Sequence, residues 1–195
     1  EASVADIISR VVNDEDIPEG LGIIHVSDNM DLLPSNIQLS AVEVSMVNAM
    51  SRELVLRYYI EQAREKYDFI LIDCMPSLGI LTVNALASAD SVLVPVQAAY
   101  LPVKGLQQLI KTIYTVKRRL NSRLSIEGIL FTMVDRRTLY AKEIIEEVNM
   151  RLTERAFRCS PRRFRFPSGL PRQAWLPKTS MTMIRRERLH PHILR

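Results

Sequence analysis

An aspartate that ends an apolar strand and opens a Pro-Ser-x-Gly turn is the arrangement in this chain best suited to chemistry. It stands in Tyr67-Asp68-Phe69-Ile70-Leu71-Ile72-Asp73-Cys74-Met75-Pro76-Ser77-Leu78-Gly79. A carboxylate at the carboxyl end of a strand puts a fixed negative charge on the rim where open α/β sheets bind ligands. The same Asp73 would serve equally well as a simple cap for the following turn or helix, and these residues alone leave both readings open. The histidines offer less. His25 stands alone on a strand, as a structural or exposed residue, and His190 and His192 flank Pro191 without the partners a metal site demands. Met46, Met50, Tyr58 and Tyr59 read as core packing.

The elements that must position Asp73 follow from periodicity. Four consecutive apolar residues from Phe69 to Ile72 read as a strand buried on both faces, as in parallel sheets covered by helices. Strand patterns also fall on residues 22–26, 91–97 and 126–133. Helical patterns fall on 39–49, on 52–66 with Ser51 as its cap, and on 80–89, 105–120 and 139–152. In the 105–120 helix Leu106, Leu109, Ile110, Ile113, Val116 and Leu120 share one face, with Lys117 at its margin and Lys111, Arg118 and Arg119 elsewhere. Alternating strands and helices predict βαβ units and a parallel sheet.

With 195 residues, 47% hydrophobic and 25% charged, the chain has the length and make-up of one globular domain with a sizeable core. No run approaches the roughly 18 apolar residues of a membrane span, and the first residues lack the basic start and apolar run of a secretory signal. Cys74 and Cys159 make neither a disulfide framework nor a metal set, so a cytoplasmic setting is expected. The absence of an initial methionine suggests a fragment or a processed piece. Charge is unevenly placed. The last 45 residues hold twelve Lys or Arg against Glu154 and Glu187, so the remainder is net acidic.

Taken in order, Asp73 to Gly79, Val83-Asn84-Ala85-Leu86, Ala89-Asp90, Val92-Leu93-Val94-Pro95-Val96-Gln97, Gly105-Leu106-Gln107-Gln108-Leu109 and Thr132-Met133-Val134-Asp135-Arg136-Arg137-Thr138 resemble the ParA/Soj family of deviant P-loop ATPases. Leu33-Pro34-Ser35-Asn36-Ile37 and Met50-Ser51-Arg52-Glu53 extend the match, which covers most of residues 20 to 155. The resemblance implies a three-layer α/β fold, a parallel sheet with helices on both faces, here incomplete at the N-terminus. It implies ATP and magnesium as cofactors, an ATP-dependent homodimer that binds DNA non-specifically, a ParB-like DNA-binding partner, a nucleoid-associated location and no membrane. By the same resemblance Asp73 is the Walker B carboxylate, meeting magnesium through water. Cys74, Pro76, Ser77 and Asp135 border the nucleotide, and Arg136 and Arg137 contact DNA. Lys117, Arg118 and Arg119 are DNA candidates by charge alone, with a solvated helix face as the simpler account. The chain departs from the family pattern at Ala99 and Lys104, where acidic residues are common. It also contains no G-x-x-x-x-G-K-[ST] and no K-G-G-x-G-K-T, so tight Mg-ATP binding is not expected of it alone.

Two segments are therefore expected: a ParA-like ATPase domain over 1–157, lacking its first strand and P-loop, and a basic Pro/Arg-rich tail over 158–195. The tail shows no helix or strand periodicity, and its five prolines argue against a membrane-targeting amphipathic helix. Met181-Thr182-Met183-Ile184 must be encoded ATG-ACN-ATG-ATH, which forces an alternating pair of Asp residues when read from each third base. With permitted synonymous codons the region 170–189 then reads AEASMAAENIYDYDPKGKV, a sequence similar to the family's own. The tail is thus expected to be an out-of-frame extension, or else a disordered nucleic-acid arm. Besides the partitioning ATPase, two readings stay open: a non-catalytic ParA-like interaction protein, and an inactive gene remnant.

Overall fold

The structure, a computed structural model, describes residues 2–75, 77–97, 102–132 and 181–185, together with Glu143 and Glu146. Two compact units emerge, one built from Glu1–Ser88 with Trp175–Arg195, the other from Ala89–Ala174.

The first unit begins with helix α1, Val4–Val12, which the periodicity above does not mark. Its signal is present at the N-terminus. Ser3 and Asp6 form a capping box, with Ser3 Oγ accepting from the Ala5 N–H at 3.2 Å and Asp6 Oδ2 accepting from the Ser3 N–H at 2.8 Å. Ala5, Ile7 and Ile8 then recur on the buried face. Strands β1, Ile24–Ser27, and β2, Met30–Leu33, form an antiparallel hairpin across Asp28-Asn29. Helix α2, Gln38–Ser45, tightens into a single 3₁₀ turn at Met46–Asn48. Helix α3, Val55–Ala63, strand β3, Tyr67–Ile72, and helix α4, Ile80–Ser88, complete the run. The core gathers Ile7 and Ile8 from α1, Leu33, Leu39, Val42, Met46, and Leu56, Tyr59 and Ile60 from α3.

Several local expectations change. Ser51 does not cap α3: it sits in a turn at φ 52°, its carbonyl accepting from the Leu54 N–H at 2.8 Å, and the helix starts four residues later. The cap comes from another element. Asn84 of α4 accepts from the Leu56 N–H through Oδ1 at 3.0 Å, and its Nδ2 donates to the Arg52 and Ile80 carbonyls at 2.7 and 3.0 Å. Met46 and Tyr59 are core residues as expected, whereas Met50 is 93% exposed and Tyr58 57% exposed, because both fall on the outer side of their segments. Strand β3 is also not buried on both faces. Ile70 and Ile72 pack against the core, but Phe69 and Leu71 are 45% and 56% exposed. His25 is exposed yet partnered, its Nδ1 lying 2.6 Å from Oδ1 of the fully buried Asp31.

The sheet of this unit runs β1-β2-β6-β3. Strand β6, Met181–Arg185, comes from the segment without strand periodicity, and it pairs antiparallel with β2 on one side and β3 on the other. Backbone pairing requires only an extended chain and a vacant pair of edges, so it carries little periodic signal in sequence.

In the second unit strands β4, Ser91–Gln97, and β5, Ser125–Thr132, pair in parallel from Ser91 opposite Ser125 to Gln97 opposite Thr132. The connection is α5, Pro102–Arg119. Leu106, Ile110, Ile113 and Val116 are buried, as the periodicity predicts, and the end of α5 is fixed where Asn121 Nδ2 donates to the Ala89 carbonyl at 2.7 Å. Strand, crossover helix and parallel strand are the α/β arrangement expected from the sequence. The helix expected over 139–152 lies outside the described residues, apart from Glu143 and Glu146, which are helical.

Candidate functional site

Strand β3 delivers Asp73 one residue beyond its last paired position, with the side chain exposed at the carboxyl end. The residues after it are held from below by α4. Thr82 Oγ1 donates to the Ser77 carbonyl at 2.7 Å, and the Val83 N–H donates to the Gly79 carbonyl at 3.2 Å. At Gly79 a Cβ would meet the carboxylate end of Glu43 of α2, a flexible side chain able to turn aside. The turn is therefore pinned to the first turn of α4, with Glu43 of α2 alongside.

Beside Asp73 a cleft of about 50 Å³ is lined chiefly by apolar side chains, among them Val4, Ile8, Leu39, Ile72 and Leu81, with Asp73, Cys74, Ser35, Thr82 and Asn84 as the polar members. Cys74 is exposed as a residue, but its sulfur is crowded. Desolvation first, and the neighbouring Asp73 carboxylate second, push its thiol up to about 11, and Sγ lies 3.9 Å from the Ile72 carbonyl. A neutral thiol is a poor nucleophile and a poor metal ligand, so Cys74 lines the site without reacting in it.

Of the residues singled out in the sequence, Asp73, Cys74 and Ser77 come together at this turn. Pro76, Asp135, Arg136 and Arg137 lie outside the described residues. Lys117, Arg118 and Arg119 occupy the last turn of α5, exposed, where cations complement the helix dipole. That favours the solvated-face account. Glu43, Thr82 and Asn84 shape the site without having been marked by sequence pattern. Asn84 falls within the family resemblance, but its role depends on α3 lying alongside, which no local pattern announces.

A magnesium nucleotide needs two things here. The metal arm is met by Asp73, an exposed carboxylate suited to an outer-shell contact through water. The phosphate arm is not. Among the described residues no Lys or Arg lines the cleft, and its walls are mostly hydrocarbon. Nor does any cluster of three or more His, Cys, Asp or Glu among them suffice to hold a metal outright. The described residues thus do not by themselves fit Mg-ATP. Among them, no helix is long and apolar enough to cross a membrane.

Comparison with known proteins agrees with this architecture. The AAA domain family matches residues 1–126. Sporulation initiation inhibitor protein Soj of Bacillus subtilis is 41% identical over 158 residues, covering 81% of this chain and 61% of Soj. Chromosome partitioning protein ParA of Myxococcus xanthus is 44% identical over 144 residues, covering 73% of this chain and 50% of ParA. Among solved structures, cobyrinic acid a,c-diamide synthase from Mycobacterium smegmatis with bound ADP and magnesium superposes with a TM-score of 0.69 at 32% identity, covering 76% of this chain and 59% of that one. The chain spans about half to three-fifths of the length of these relatives. A family match over most of the chain, the parallel β4–β5 pair joined by α5 and the aspartate at the tip of β3 agree: the chain belongs to the AAA domain family, in its ParA/Soj branch of P-loop ATPases.

Proposed function

We propose that the chain is part of a ParA-type ATPase acting in chromosome or plasmid partitioning. The observation that carries this reading is Asp73, exposed one residue past β3 on a turn pinned by Thr82. In this reading ATP and magnesium are the cofactors, and Asp73 holds magnesium through water. Cys74, Pro76, Ser77 and Asp135 border the nucleotide. An ATP-dependent homodimer binds DNA non-specifically through Arg136 and Arg137, and a ParB-like DNA-binding protein is the partner. The segment 1–157 is the ATPase-related domain, and 158–195 is an out-of-frame extension whose Met181–Arg185 forms β6.

Anisotropy of a labelled random-sequence duplex, titrated with the full chain across a range of salt, tests the DNA assignment. Replacing Arg136 and Arg137 with Ala is expected to lower affinity roughly tenfold and to reduce the salt slope by about 2, about 1 for each phosphate no longer neutralised. Replacing Arg162 and Arg163 with Ala is expected to leave both unchanged. The reverse outcome would transfer DNA binding to the tail and remove the basis for assigning it to Arg136 and Arg137.

A second reading has its own support. Among the described residues the cleft beside Asp73 presents no cation, which is the support for a non-catalytic ParA-like interaction protein. Equal affinity of the chain for a fluorescent ATP analogue with magnesium and with EDTA supports that second reading. A magnesium-dependent gain lost in Asp73→Asn supports the first. An inactive remnant differs from both in giving no soluble folded chain.

A further inference from the structure

We propose that α4 is a two-ended clamp that couples the turn after Asp73 to the Ser51 turn ahead of α3, so that a displacement of either turn is felt at the other. Thr82 holds the first end. Its Oγ1 donates to the Ser77 carbonyl at 2.7 Å, beside the Val83 N–H that donates to the Gly79 carbonyl at 3.2 Å. Asn84, on the same helix, holds the second end. Its Nδ2 donates to the Arg52 carbonyl at 2.7 Å, and its Oδ1 accepts from the Leu56 N–H at 3.0 Å.

The link has little slack. Thr82 and Asn84 are both buried, so water does not stand in for a bond that either loses. At the far end of α4 the Ser88 Oγ donates to the Asn84 carbonyl at 2.7 Å, and Arg64, just past α3, donates from Nη2 to the Ser88 carbonyl at 3.2 Å. The two helices are thus tied at both ends. When the first turn of α4 moves, the start of α3 moves with it.

Coupling between separate segments needs an element with two arrangements. The Ser51 turn supplies it. Ser51 stands at φ 52°, a region that residues with a side chain enter only at a cost. It is held there by the Leu54 N–H donating to the Ser51 carbonyl at 2.8 Å, by Arg52 Nη1 donating to the Val47 carbonyl at 2.7 Å, and by Asn84 on the Arg52 carbonyl. Withdrawal of Asn84 removes the bond that comes from another element and lets the turn relax to negative φ. Use of this coupling as a signal rests on the ParA-type reading, in which the turn after Asp73 carries the nucleotide site. The coupling itself does not, and its test contains no nucleotide.

Amide hydrogen exchange of the full chain, followed by NMR at low urea, tests the clamp. The Val83 amide reports the first end and the Leu56 amide the second, while Ile8, buried in the middle of α1, reports the unit as a whole. In the unaltered chain Val83 and Leu56 are expected to exchange through one shared opening that Ile8 does not join. Thr82→Val keeps the shape of the side chain and deletes its hydrogen bond. It is expected to speed Leu56 exchange roughly tenfold relative to Ile8, whereas Thr82→Ser, which keeps the hydroxyl, leaves it within about twofold. In a Ser51→Gly background, where φ 52° is adopted freely, the same Thr82→Val change is expected to speed Leu56 by about threefold or less. Separate openings for Val83 and Leu56, or one opening that Ile8 shares, would overturn the proposal. So would a Leu56 amide that Thr82→Val leaves unmoved or moves no more than Ile8, or an acceleration that Ser51→Gly does not reduce. Should Thr82→Val not fold, the openings of the unaltered chain decide alone.

Discussion

Replacing Asn84 with Ala should unfasten the start of α3 from α4. The side chain is 1% exposed and makes three hydrogen bonds, one accepted from the Leu56 N–H and two donated to the Arg52 and Ile80 carbonyls. The Ile80 carbonyl lies four residues before Asn84 in the same helix and keeps its own helical partner. The Leu56 N–H and the Arg52 carbonyl do not. Losing a helix cap costs about 1 kcal/mol, and each buried backbone group left without a partner costs about 1–3 kcal/mol. The terms overlap at Leu56, so about 3 kcal/mol is expected in total. Against a net stability of roughly 5–15 kcal/mol this is a large fraction. With a urea m-value of about 2 kcal/mol/M, it moves the midpoint down by about 1.5 M. Urea titration followed by far-ultraviolet circular dichroism at constant m reads this directly. Leucine at the same position restores bulk but not hydrogen bonds and should recover less than half of the loss. A midpoint shift below about 0.5 M for Ala, or full recovery by Leu, would show that packing rather than capping governs the junction of the two helices.

Three further outcomes follow from the same geometry. In a Cys159→Ser background, iodoacetamide should label Cys74 roughly a hundredfold more slowly at pH 8 than it labels free cysteine, with the rate climbing toward pH 11 as the thiol ionises; a midpoint near 8.5 would contradict the crowding of Sγ. Gly79→Ala should cost less than about 1 kcal/mol, because its Cβ meets only the flexible carboxylate end of Glu43; a larger loss that Glu43→Ala restores in a double-variant cycle would show that the carboxylate is held in place. Tyr67→Phe removes a hydrogen bond to the buried Asp31 carboxylate and should cost about 1.5–3 kcal/mol by thermal or urea unfolding; a neutral result would mean that another donor takes its place.

The parts of the fold that sequence made legible are those with local periodicity. The buried stripe of α5 and the strands β3, β4 and β5 fall within a few residues of their expected positions, because side chains three or four apart, or two apart, report a helix face or strand face directly. Helix α1 was legible in principle too, since Ser3 and Asp6 ahead of an apolar stripe mark a helix start, but nine residues make a short stripe to recognise. What could not be read locally is what depends on partners distant in sequence. Asn84 caps a helix that starts 29 residues earlier. Glu43 approaches Gly79 from a different helix, and β6 lies between two strands with no pattern of its own. At the candidate site the aspartate was visible at once, as a charge that closes an apolar run. The clamp beneath its turn was not, because a threonine in the first turn of a helix has many uses.

The position of β6 also sets a clock. During synthesis β2 and β3 leave the ribosome long before Met181, the first residue of the strand that joins them, has been made. At roughly 5–20 residues per second, the interval between Ile72 and Met181 amounts to about 5–20 s. For that time β2 and β3 lack, among the described residues, the strand that joins them, beside the half-exposed Phe69 and Leu71. Edges of this kind capture whatever extended chain is nearest, and on a polysome the nearest is a neighbouring nascent copy of the same protein. Yield of soluble chain should therefore depend on translation rate and on message density, independently of how stable the finished protein is.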